Sequence, residues 1–373
     1  MDVAAVSAEF ARFVWREPAS AGDFLAASHS GAYPTLRTLA THAPLVAVGI
    51  FLAKLVLDAA LLRPIARAIL RLKDPALPFK SDKLDAIYVK HKPALPDINE
   101  IKSLSSAIDK PVEDLNNWFR VRQVQDRNVV KLRTTAESLW RLAVYSICLG
   151  INLSILRGKP WVKNIAQTWE GLPLQPQEEP VLLFFTCVQL PLYLVLLFTQ
   201  VTDGRRAKDM WEMTIHHALV VVLMVLLYLG NFCRIGMIGL ALHDVTDLLL
   251  ESSKLAHNAR FKGLADLLFT GFAAAWFYCR LYKFSTLVLA SLFTHGTKAA
   301  GPAINVFAGL LLVLVLLNLF WFLQIARMLY RLLWAGAEKQ RRQRDFTDLS
   351  TDDDVDSDSS YMSDVEPLKR HED

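Results

Sequence analysis

The sequence predicts an all-α integral membrane protein with seven transmembrane helices. Three observations lead there. The chain has 373 residues, of which 53% are hydrophobic and only 21% charged, and its mean hydropathy is +0.27. That excess of apolar side chains would overfill the core of a soluble domain and is suited to lipid. Seven apolar runs are long enough to cross a bilayer core of about 30 Å at about 1.5 Å per residue. Basic loops also alternate with basic-poor ones along the chain, as positive-inside orientation requires. The composition excludes a disordered protein, a collagen and a disulfide scaffold. The four cysteines, Cys148, Cys187, Cys233 and Cys279, form no CxxC pair and lie in or beside apolar stretches, so they read as small buried hydrophobes.

Residues 1–43 are expected to be a lumenal N-terminal segment. Asp2 and Glu9 stand where a signal peptide would be basic and then apolar, so no cleaved leader is expected. The first span runs from Pro44 to Leu62, within a unit at 44–64. It holds Lys54 and Asp58, an i,i+4 pair expected to neutralise itself. The remaining spans are Leu139 to Leu156, Val181 to Val201, Trp211 to Gly230, Ile235 to Leu255, Leu264 to Leu289 and Val306 to Leu333. Four basic regions share one side of this arrangement. They are the stretch from Arg63 to Arg133, the loop with Arg205, Arg206 and Lys208, the turn with Lys254, Arg260 and Lys262, and the group Lys339, Arg341, Arg342 and Arg344. The N-terminus is therefore expected in the lumen and the C-terminus in the cytosol.

Residues 65–138 are the one sizeable polar insert, placed in the cytosol. Asp97 and Glu100 have capping-box spacing at the start of a short helix. Asp109-Lys110-Pro111 is a turn into a second helix that reaches about Val130. The pair resembles a helix-turn-helix, and Asn117-Trp118-Phe119-Arg120-Val121-Arg122 resembles a homeodomain recognition helix. The position that carries an adenine-reading Asn in that family is Val121 here, and spans flank the segment on both sides. DNA binding is therefore not expected. Arg120, Arg122, Arg127, Lys131 and Arg133 are expected near anionic headgroups of the bilayer.

The fourth and fifth spans carry the polar residues that matter most. Asp209-Met210-Trp211-Glu212-Met213-Thr214-Ile215-His216-His217 leads into one, and His243-Asp244-Val245-Thr246-Asp247 with Glu251 lies inside the other. Asp244, Asp247 and Glu251 fall at i, i+3 and i+7, which lines one stripe of a helix. Burying such groups unpaired costs several kcal/mol (about 2 or more each). Their presence marks function ahead of a polar clamp between helices. Membrane di-iron enzymes need HxxxH and HxxHH patterns, and neither occurs among the nine histidines, so no metal is expected. Acyl transfer suits the set better. An imidazole can act as base or nucleophile, and a carboxylate can fix its tautomer. His29, His42, His91 and His371 read as solvated surface residues.

The run Trp211 to His217, followed by Asn231, Arg234-Ile235-Gly236, His243-Asp244-Val245-Thr246-Asp247, Leu250-Glu251 and Lys254, resembles the long signature of ceramide synthases. Trp118-Phe119-Arg120 with Gln125-Asp126-Arg127 resembles their homeobox-like segment, and Ser138-Leu139-Trp140-Arg141 resembles the start of their catalytic TLC domain. The resemblance covers about residues 110 to 285. The third span opens with Pro180-Val181-Leu182-Leu183 in place of the family's tyrosine-rich pattern. The sixth closes on Arg280-Leu281-Tyr282-Lys283-Phe284 without the proline that follows in the family.

The resemblance implies a TLC domain at 139–335 in which spans two to seven form a ring around a lipid-sized cavity. It implies an endoplasmic-reticulum enzyme that transfers an acyl group from acyl-CoA, a co-substrate, to the amine of a sphingoid base, with no bound cofactor. His216, His217, Asp244 and Asp247 take the catalytic positions. Arg205, Arg206, Lys208, Arg234, His243 and Glu251 are candidates for binding substrate. The loop from Ser285 to Gly301 is expected to tune chain length by analogy, and homo- or heterodimers are expected. Alternatives are a TLC-fold lipid binder without catalysis and a transporter or channel.

Residues 336–373 form an acidic tail expected to be disordered. From Asp345 onward it has 11 acids and two bases, a net charge of −9 within a chain of +4, so the remainder carries +13. Ser350, Thr351, Ser357, Ser360 and Ser363 precede acids at short spacing and suit an acidophilic kinase. The intramembrane charges are expected in spans one, four and five.

Overall fold

A computed structural model describes residues 34–73, 75–92, 95–172, 175–202, 210–300 and 304–334. Helices fill almost all of them, and no strand occurs among the described residues. Six helices are long and apolar enough to cross a membrane: α1 (Leu36–Leu70), α4 (Val112–Leu156), α5 (Glu179–Thr202), α6 (Met210–Leu229), α8 (Lys262–Gly296) and α9 (Ile304–Trp334). The remaining expected span, the fifth, is also a helix, α7 (Cys233–Asn258). It has the length to cross but not the hydropathy, because Arg234, Asp244, Asp247, Glu251 and Lys254 all lie on it.

Packing explains how α7 carries those charges. It lies against α4 on one side and α8 on the other, and 14 of its residues are buried, among them Asp244, Glu251 and Lys254. Asn152 of α4 donates to the Met237 carbonyl of α7 at 3.0 Å. α5 packs on α4 and α6, and α9 packs on α6 and α8. One hydrophobic core runs through these six helices.

α1 stands at the periphery, with Leu45, Val48, Leu52 and Val56 exposed. Thr35 caps it by accepting from the Thr38 amide at 3.2 Å. The expected Lys54–Asp58 pair does not form. Lys54 instead reaches Glu137 of α4 at 2.8 Å, and Asp58 takes Arg63 at 2.8 Å. The α-helical register between Lys54 and Asp58 is intact, with the Asp58 amide donating to the Lys54 carbonyl. The π-helical turn Asp58–Leu62 that follows brings Arg63, five residues on, to Asp58.

The polar insert folds as three helices, α2 (Asp82–His91), α3 (Ile98–Ile108) and the start of α4. Ser81 and Asp97 cap α2 and α3. Glu100 pairs with His91 at 3.0 Å, so His91 is not merely solvated. Leu84, Tyr88, Ile101, Leu104, Leu115, Trp118 and Phe119 form a separate small core, and the Trp118 indole donates to the Phe79 carbonyl at 2.8 Å. Arg122, expected near headgroups, is held by Asp85 at 2.8 Å and Asp126 at 2.6 Å. The helix expected to end near Val130 does not end there. α4 continues unbroken for 45 residues into the second span, a rod of about 68 Å. The segment expected as a loop from Ser285 is helical as far as Ala300. The acidic tail and its five phosphorylation candidates lie outside the described residues.

Candidate active site

The histidine pair forms the seventh and eighth residues of α6. Adjacent helical positions point about 100° apart, and both rings are buried. His216 meets Trp321 of α9 edge-on, with ring centroids 5.0 Å apart. His217 turns toward Tyr193 of α5 at 6.2 Å. Neither Nδ1 has a hydrogen-bond partner among the described residues.

The aspartates of α7 are each held by a neighbouring helix. Asp244 accepts from the Gln189 amide at 3.0 Å. Gln189 lies in a π-helical turn of α5, Phe184–Gln189. Asp247 pairs with Arg280 of α8. The Arg280 Nε also donates to Thr246 Oγ1 at 2.6 Å and one Nη donates to the His243 carbonyl at 3.1 Å. Its guanidinium stacks over Trp276 at 4.1 Å. Arg280 thus neutralises a carboxylate that would otherwise be costly in an apolar interior, and it clamps α8 to α7. The expected hydrogen bond between a carboxylate and the histidine pair is not among those formed.

His243 is fixed differently. Its Nδ1 lies 2.9 Å from the Gly239 carbonyl. A carbonyl only accepts, so Nδ1 carries the proton and Nε2 is left to accept from the Asn318 amide at 3.4 Å.

These groups converge on one partly open cavity. Tyr193, His216, His243, Asp247 and Arg280 line its polar end, and the rest of its wall is apolar apart from glycine backbone. His217 and Asp244 stand behind that wall. Glu251 lies further along α7, against Lys254 at 3.2 Å and Arg141 at 3.9 Å. Arg234 is at the other end of α7 and donates to the Pro176 carbonyl at 3.1 Å. Arg205, Arg206 and Lys208 lie outside the described residues.

Sequence reasoning missed Arg280, Tyr193, Gln189, Trp321 and Asn318. Intramembrane charge is not confined to spans one, four and five: span six supplies Arg280 and span two supplies Arg141. A single arginine in the apolar run that follows Trp276 was the available signal, since such a charge needs a buried partner.

A helical membrane protein with histidines, a carboxylate and an arginine at the head of an apolar cavity is the class defined so far. Comparison with known proteins narrows it. Residues 134–327 match the TLC domain family. Ceramide synthase 5 of Homo sapiens is 30% identical over 349 residues, covering 92% of this chain and 87% of that protein. Ceramide synthase 4 of Homo sapiens is 32% identical over 282 residues, 75% of this chain and 68% of that protein. Ceramide synthase 5 of Mus musculus is 31% identical over 292 residues, 78% and 69%. The chain belongs to the TLC-domain family and, within it, to the ceramide synthases.

Proposed function

We propose that the protein is an N-acyltransferase that moves a fatty acyl group from acyl-CoA to the amine of a sphingoid base and yields a ceramide. The observation that carries this reading is the position of His216, buried at the polar head of an otherwise apolar cavity and beside the Asp247–Arg280 pair. A lipid chain fits the apolar part and places a thioester carbonyl at the head. The contacts of α4, α5, α6, α7, α8 and α9 with one another support a six-helix ring, with α7 as the fifth of seven spans and α1 outside.

In the proposed route the imidazole of His216 attacks the thioester carbon, the carbon–sulfur bond breaks, and CoA leaves as its thiol. The amine then attacks the acyl-imidazole, the carbon–nitrogen bond to histidine breaks, and the amide is released. A base that arrives as an ammonium must first lose a proton. Asp247 is the carboxylate on the cavity wall suited to bind it and accept that proton, with Asp244 behind it. His217 serves as partner to His216. In a one-step variant, His216 acts only as base. Neither route needs a metal or bound cofactor.

The basic cytosolic loops, including Arg205, Arg206 and Lys208, are suited to the CoA phosphates. The protein would reside in the endoplasmic reticulum membrane with its N-terminus lumenal, act as a homo- or heterodimer, and receive phosphate from an acidophilic kinase on the tail. Microsomes from cells without their own activity, given sphinganine and a panel of acyl-CoAs, test the reading. The expected result is N-acylated product. Lipid binding without product would instead indicate a regulator, and transfer across the membrane a transporter.

A further inference from the structure

Beyond its polar head, the cavity wall holds only apolar side chains. α6 runs from His216 to Leu227, a depth of about 16 Å. Leu227, Ile235 at the start of α7 and Phe307 at the start of α9 all line the far end.

Phe307 is the innermost ring of a buried stack. Its centroid is 5.5 Å from that of Phe232, and Phe232 is 5.8 Å from Trp169. Phe232 and Trp169 do not line the cavity and are 2% and 3% exposed. Both are held in place. The turn after α6 puts Asn231 in the left-handed region at φ 61° and folds Phe232 inward. A Cβ on Gly230 would come within 2.7 Å of the Phe232 ring. The Trp169 indole donates to Ser291 Oγ at 3.2 Å, and a Cβ on Gly296 would come within 2.8 Å of that indole. The backing therefore comes from the turn between α6 and α7 and from the connection between α4 and α5. The helical segment at 285–300 meets it through Ser291 and Gly296.

From this geometry we infer that the Phe307–Phe232–Trp169 stack is the floor of the acyl cavity and sets the longest acyl chain transferred. This rests on the acyltransferase reading. A longer chain must displace three interlocked rings, and overpacking of that kind is costly. A shorter chain leaves wall unfilled. The occupant is the acyl chain, because its first carbon is the one His216 attacks in the proposed route and the rest of the chain extends from there along the apolar wall.

The test uses the full-length protein in microsomes and reads the ratio of long-chain to short-chain product, which does not depend on how much protein folds. With sphinganine fixed and saturated acyl-CoAs of graded length in competition, Phe307→Ala should raise that ratio about tenfold or more. Phe307→Trp should lower it by a similar factor. If the alanine variant is not recovered, Phe307→Leu carries the same expectation of a raised ratio. A wild-type ratio in these variants overturns the floor while leaving the acyltransferase reading intact. So does a shift that appears only when sphingoid bases of graded length compete against one fixed acyl-CoA. Wild-type protein that forms no N-acyl product overturns both.

Discussion

Arg280 shows how much depends on one side chain. It holds Asp247 by an ion pair, Thr246 by a hydrogen bond and Trp276 by stacking, and its own side chain is 4% exposed. Removing one partner of such a pair leaves the other buried and uncompensated, at a cost of about 3–5 kcal/mol. Arg280→Gln is therefore expected to lower the unfolding temperature of the detergent-solubilised protein and to abolish acyl transfer. Adding Asp247→Asn to it should restore much of the unfolding temperature without restoring transfer. A double variant no more stable than Arg280→Gln alone would contradict the pairing account. His216, His217, Asp244 and Asp247 were legible in the sequence because ionisable residues stand out within apolar runs. Their partners were less so. Gln189 and Arg280 lie far from them in the chain, and nothing in local spacing says which helix each faces.

Among elements, α4 differs most from expectation. The change from polar to apolar composition near Ser138 suggested a boundary, but composition alone does not break a helix. No proline and no glycine occurs between Pro111 and Gly150, so the backbone runs on. The same rod carries Trp118 in the polar module and Arg141 and Asn152 against α7. A proline at Thr134 removes a helical hydrogen bond and crowds the preceding turn, at about 3 kcal/mol or more. Thr134→Pro is expected to reduce activity by at least tenfold while the module keeps its protease resistance. Unchanged activity would mean that the junction tolerates a kink and transmits nothing. The Lys54–Asp58 pairing failed for a related reason. It ignored Glu137, which only the fold brings to Lys54, and Arg63, which the π-helical turn brings to Asp58.

At the scale of the whole molecule, the span pattern was legible because twenty-residue apolar runs have few other uses. The polar α7 was recognised as a helix position, but its burial between α4 and α8 depends on packing. The net charge of +4 hides a +13 body and a −9 tail, and the lysines and arginines of alternate short loops give the expected orientation, N-terminus lumenal. A glycosylation sequon inserted after Lys163, between α4 and α5, is expected to be modified in microsomes, and one inserted after Asp356 is not. The reverse pattern would invert the topology and put the basic loops in the lumen.

The central claim is that His216 performs acyl transfer at the head of this cavity. The most direct measurement compares wild type with His216→Ala at equal membrane abundance, in microsomes without their own activity, supplied with acyl-CoA and sphinganine. The account predicts ceramide from the wild type and none above background from the variant. Wild-type turnover by His216→Ala would contradict it.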